Sequence, residues 1–153
     1  MRPLLVALTL CITLPAAAQP AAPPAVPQGT LRMDTSAIDA LLARYATAVK
    51  NGDLQSLLSM ASARYHDDLG TPSPGDDVDY QGLRAFLERK IVGLETLSFS
   101  LTRIAVRVEG HGWLVEVRYD ARVRIAGRVH VFHDRARLAV IEEDGELRFL
   151  SGM

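Results

Sequence analysis

An α+β fold is what the sequence predicts, with three N-terminal helices packed on one curved antiparallel sheet. Two periodicities and their order along the chain carry that prediction. Trp113, Val115, Val117, Tyr119, Ala121, Val123 and Ile125 alternate without a break with Leu114, Glu116, Arg118, Asp120, Arg122 and Arg124. Thirteen residues in one register make a long strand with a single buried face, the signature of an antiparallel sheet. Well before it, Ile38, Leu41, Leu42, Tyr45, Ala48 and Val49 recur at the helical period. Helices come first and strands after. One bent sheet must therefore wrap the helices, because nothing else can cover its apolar face.

The elements follow in order. Asp34-Thr35-Ser36 supplies oxygen side chains for the first free amides of a helix, and Asn51-Gly52 ends it. Asp53 caps a second, short helix carrying Leu54, Leu57, Leu58 and Met60, reaching about Ala63. Gly70 to Asp79 holds two prolines and three acids and is expected to be a loop. A third helix runs from about Tyr80 to Leu94 with Leu83, Phe86, Leu87, Ile91 and Leu94 inward. From Thr96 to Glu109 a strand buries Leu97, Phe99 and Leu101, then switches parity to Ile104, Val106 and Val108. A one-residue bulge near Thr102 would produce that switch. After the Ala126-Gly127 turn, a strand from Arg128 to Glu142 shows a similar parity change around His133. Asp144-Gly145 then turns into a last strand with Leu147 and Phe149.

Residues 1–18 have the pattern of a secretory signal peptide. Arg2 is followed by an apolar run from Leu4 to Leu14, then Pro15 and Ala16-Ala17-Ala18, with cleavage expected before Gln19. The run is too short to span a bilayer, so no membrane anchor is expected once the signal is removed. Cys11 sits inside the run after Leu10, which is not a lipoprotein arrangement. Residues 19–30, rich in Pro and Ala, are expected to form a semi-extended linker, and 31–153 the domain. Signal removal takes the only cysteine, leaving a thiol-free domain suited to an oxidising compartment, periplasmic or secreted. The net charge of −1 gives no basic surplus for nucleic acid.

Particular residues sharpen the picture: Ala43-Arg44-Tyr45, Asn51-Gly52-Asp53-Leu54 and Met60, then Tyr65-His66-Asp67-Asp68, Gly82-Leu83-Arg84-Ala85-Phe86, and the terminal strands around Asp144-Gly145. Over about residues 34–151 this order resembles the superfamily of nuclear transport factor 2, ketosteroid isomerase and the SnoaL-like polyketide cyclases. The resemblance implies a cone-shaped NTF2-like (cystatin-like) fold whose open end holds a ligand between helices and concave sheet. It implies that Tyr45 matches an oxyanion tyrosine, that Asp67 or Asp68 matches the base, and that Asp134 on the third long strand is the acid donor. The fold hosts enzymes, binders and structural partners alike, so it does not fix a function.

The residues themselves leave plainer alternatives open. Tyr45 on the core stripe can bury its ring and wet its hydroxyl. Asp67 and Asp68 precede a polar loop and can be solvated turn residues, and the segment between Met60 and them is shorter than in the isomerases. Asp134 shares parity with Ala136, Leu138 and Val140 and is expected to face inward. Tyr45, Tyr65, His66, Trp113, Tyr119 and His130 are the candidate ligand-binding residues. No histidine spacing matches a metal site, no glycine loop suits a phosphate, and no cofactor is expected. Arg118, Arg122 and Arg124 form a stripe broken by Glu116 and Asp120, a solvated or dimer face, and Leu114 on that face hints at a homodimer. The expectation is an exported domain that binds a small, largely apolar molecule. The alternatives are a cofactor-independent acid–base enzyme of ketosteroid isomerase or polyketide cyclase type and a periplasmic interaction module.

Overall fold

The computed structural model describes residues 35–91 and 94–153; the signal peptide, the linker and the Asp34 cap expected above lie outside them. Helix α1 (Thr35–Asn51) buries Ile38, Leu41, Leu42 and Ala48. It stops where Gly52 takes a φ of 62°, which lets the Asp53 N–H reach back to the Ala48 carbonyl at 2.9 Å. Asp53 then caps α2 (Leu54–Ser59), accepting from the Ser56 N–H at 3.0 Å and from its hydroxyl at 2.6 Å.

Helix α2 ends well short of Ala63 because the following backbone is claimed from elsewhere. The Phe149 N–H donates to the Met60 carbonyl and the Ser62 N–H to the Phe149 carbonyl, both at 2.8 Å, forming a parallel bridge at Ala61. Next come β1 (His66–Asp67) and β2 (Val78–Asp79), a two-residue antiparallel pair. The expected loop up to Asp79 therefore closes in a strand. Asp79 accepts the Gly82 N–H at 2.8 Å and starts α3 (Tyr80–Ile91), which buries Leu83 and Leu87 and stops before Leu94.

Four strands follow: β3 (Glu95–Glu109), β4 (Gly112–Ile125), β5 (Arg128–Glu143) and β6 (Glu146–Ser151), paired as a simple antiparallel meander in that order. The register of β3 against β4 breaks twice, between Thr96 and Ser98 and between Arg103 and Ala105, on either side of the bulge expected near Thr102. This corrects two core assignments. Ile104 sits in the second break and is 45% exposed, and Val108 lies beyond the helical cover at 55%. Arg103 takes the place expected of Ile104 and grips Asp39 of α1 with two hydrogen bonds, at 2.6 and 3.0 Å. The parity change expected at His133 is absent, because β5 stays in register with β4 from Arg128 to Ile141. The break in β5 lies instead opposite β6, at Ala139/Val140.

The core fills one end of the concave face. Val115, Val117, Leu138, Val140 and Phe149 meet Ile38, Leu41, Leu57 and Leu83 from the helices. Strand β6 covers only Ala139–Glu143 of β5, so Arg128–Arg135 has β4 alone as neighbour and is exposed throughout. No described helix is long and apolar enough to cross a membrane.

Candidate functional site

Toward the other end of the concave face the side chains no longer meet. They enclose a cavity of about 650 Å³ walled by Tyr45 and Val49 of α1, Phe86 and Lys90 of α3, and Phe99, Tyr119, Ala121, Val123 and Phe132 of the sheet. A smaller hollow of about 210 Å³ lies beside it, lined in part by Leu101, Val117, Ala136 and Leu138. Tyr45, Phe99, Tyr119 and Met153 line both, so these four form the wall the two share. The register explains the lining. Phe132 opposes Ala121 and His130 opposes Val123, so the β5 residues of this row stand on the concave side.

Tyr45 is held by aromatic edges. Its ring lies 5.2 Å from Phe149 and 6.2 Å from Phe99, and Phe99 in turn stacks on Tyr119 at 6.3 Å. Among the described residues its hydroxyl makes no hydrogen bond. Burial pushes its pKa up to about 12, because a phenolate there would lose its hydration. The group is a neutral O–H donor left without an acceptor.

The remaining residues singled out from the sequence are scattered. Tyr65 is buried, donates its hydroxyl to Asp67 Oδ2 at 3.1 Å and accepts the Met153 N–H at 3.1 Å. Burial is the main cause holding the Tyr65 hydroxyl in its protonated form, and the neighbouring Asp67 charge adds to it. Asp67 also accepts the Gly152 N–H at 2.7 Å and the Leu69 N–H at 2.9 Å. Its Oδ2 thus ties β1 to the chain after β6, while Oδ1 closes the local turn onto Leu69. Asp68 is exposed and closes its own turn onto the Gly70 N–H at 2.9 Å. Asp134 does share the parity of Tyr119, its cross-strand partner, but it is exposed and accepts the Arg135 N–H at 2.7 Å.

None of the three aspartates lines the cavity. His66 is exposed, 3.3 Å from Asp77, and His130 stacks on Phe132 outside the lining. Trp113 corrects an expected lining residue. It faces inward but at the filled end, 8% exposed, with its indole Nε1 unpartnered. Tyr45 and Tyr119 are the candidates that the fold brings together. Phe86, Phe99, Phe132 and Lys90 complete the walls and had not been singled out as site residues. For Phe86 and Phe99 the signal was their inward phase, and for Lys90 there was none. Among the described residues no three His, Cys, Asp or Glu side chains gather in one place.

No family model and no curated protein matches this sequence. Solved structures do. A conserved protein from Planctomyces limnophilus is 18% identical with a TM-score of 0.64, over 78% of this chain and 92% of that one. An NTF2-like protein from Cytophaga hutchinsonii is 14% identical with a TM-score of 0.61, over 78% and 95%. A protein of Novosphingobium aromaticivorans described as a candidate scytalone dehydratase is 12% identical with a TM-score of 0.60, over 77% and 80%. At these identities the similarity is one of fold.

Proposed function

Starting from a chain with the NTF2-like fold, we propose that it is a binding protein for a small, largely apolar molecule that offers one oxygen acceptor. The observation that carries this reading is the Tyr45 hydroxyl, an unpaired donor set in an apolar hollow of about 650 Å³. That volume falls in the range of sites that enclose small molecules. A ligand oxygen would give that hydroxyl a partner inside an otherwise apolar wall, where one hydrogen bond also fixes orientation. Proton transfer of the ketosteroid isomerase type would need a carboxylate beside that hydroxyl, and among the described residues no lining side chain is one. Binding is therefore the better supported of the two.

The proposal extends to an exported protein, periplasmic or secreted, on the strength of residues 1–18, and to a homodimer through the outer sheet face that carries Leu114. An intact mass beginning at Gln19 and a sedimentation mass twice that of the chain are the expected results. The central test is an organic extract of the purified protein, examined by mass spectrometry, against an Ala121→Phe variant. Ala121 lines the cavity, so a benzyl group there projects into it and obstructs an occupant. The wild type should release a small molecule that the variant lacks. Tyr45→Phe should weaken rebinding about three- to tenfold, the worth of one hydrogen bond. Equal recovery from the wild type and Ala121→Phe would defeat the proposal.

A further inference from the structure

Lys90 gives the cavity a sign. It lies in the last turn of α3, where the negative end of the helix accounts for a cation, as it does for Arg89 beside it. What sets Lys90 apart is direction. Its ammonium lies over the Phe86 ring, 5.3 Å from the centroid, and both residues line the cavity. Among the described residues no acidic group pairs with it. Glu88 on the same helix pairs with Arg84, and Glu95 at the start of β3 pairs with Arg124. Among the described residues Lys90 is the one charged side chain in the lining of either hollow.

We propose that the ligand is a small, largely apolar carboxylic acid whose carboxylate meets Lys90 while its body fills the cavity and carries the oxygen acceptor that Tyr45 binds. This deepens the binding reading above and rests on it. Lys90 is exposed and Tyr45 partly buried, so the acid end lies at the mouth and the body runs inward along Phe99 and Ala121. An apolar wall strengthens the field of a nearby charge, so a cationic ligand is repelled and a neutral one forgoes a charge-assisted hydrogen bond. The Phe86 ring keeps the ammonium aimed across the mouth, so little ordering is needed when an anion arrives.

Two fluorescent probes of matched body separate charge from shape: anilinonaphthalene sulfonate, an anion, and phenyl-naphthylamine, its neutral counterpart. The readout is the ratio of their two dissociation constants. Lys90→Met keeps the aliphatic stem and should cut the preference for the anion about three- to tenfold. Arg89→Gln, a neighbouring cation outside the lining, should leave the ratio as it is. Decanoate should displace either probe more strongly than decanol, and less so at high salt. A ratio that Lys90→Met does not move, or moves no more than Arg89→Gln, overturns the proposal while leaving the cavity a binding site. If Ala121→Phe binds both probes as the wild type does, or the wild type binds neither, the binding reading falls and this one with it.

Discussion

The concave face of the sheet is one surface with two ends. At one end Val115, Val117, Leu138 and Val140 interlock with α1 and α2 and with Phe149, and only the small hollow beside Val117 and Leu138 breaks the packing. At the other, Tyr119, Ala121, Val123 and Phe132 stand on the same strands, at the same parity, around a hollow. The alternation of apolar residues along β4 barely changes between the two. What changes is the cover. Strand β6 pairs with β5 only over Ala139–Glu143, and α2 is six residues long, so the strands outrun what packs on them. A cavity here is the product of unequal element lengths, with the aromatic rings acting as props that hold the walls apart.

This contrast can be broken, beginning with the largest effect. Phe149→Ala removes a fully buried ring that supports Tyr45 and packs in the filled end, while leaving the residue's backbone bridge to Met60–Ser62 in place. It should cost about 3–5 kcal/mol in denaturant unfolding. A loss under about 1 kcal/mol would mean that the end drawn here as solid is not. An intermediate effect comes from alkali. The pKa of Tyr45, raised by burial to about 12, lies above the ordinary tyrosine value of 10.0, and Tyr65 is shifted in the same direction. The folded state keeps protons that the unfolded chain gives up. The resulting stability is whole below the unfolded pKa and is lost as the pH rises through the folded one. The urea midpoint should fall between about pH 10 and about pH 12, and less steeply in Tyr45→Phe. Smallest is Phe132→Ala at the hollow end. That ring is 46% exposed, and its removal should change stability by less than about 1 kcal/mol while weakening ligand binding. Equal losses from Phe132→Ala and Phe149→Ala would erase the distinction between the two ends.

How much of this was written in the sequence depends on the range of the interaction responsible. The face of β4 and the stripe of α1 follow from periods of a few residues, and the structure has both. Trp113 shows the limit. Its parity correctly predicts an inward side chain, but parity says nothing of position along the strand, and the position makes it core rather than lining. Val108 was misassigned for the same reason, since an apolar residue in phase is buried only where something lies above it. Asp67 is a different failure. The family resemblance implies a base at Asp67 or Asp68, but Asp67 Oδ2 accepts the Gly152 N–H, 85 residues away, and no local pattern announces that bond. The pair β1 and β2 is too short to carry any period.

The knot around Tyr65 and Asp67 also places one side chain between the two chambers. It grips the N–H groups of Gly152 and Met153, and Gly152 runs at a φ of 89° so close to β5 that a Cβ would stand 2.2 Å from the Arg137 carbonyl oxygen. Met153 is thereby parked as a partition between two chambers. Its backbone is clamped while its thioether stays among the most pliant of side chains. Of the four side chains in the shared wall, Met153 is the one flexible, unbranched member among three aromatic rings. Any rearrangement that joins the two chambers therefore falls first to the rotamers of one methionine, before the rings or the scaffold.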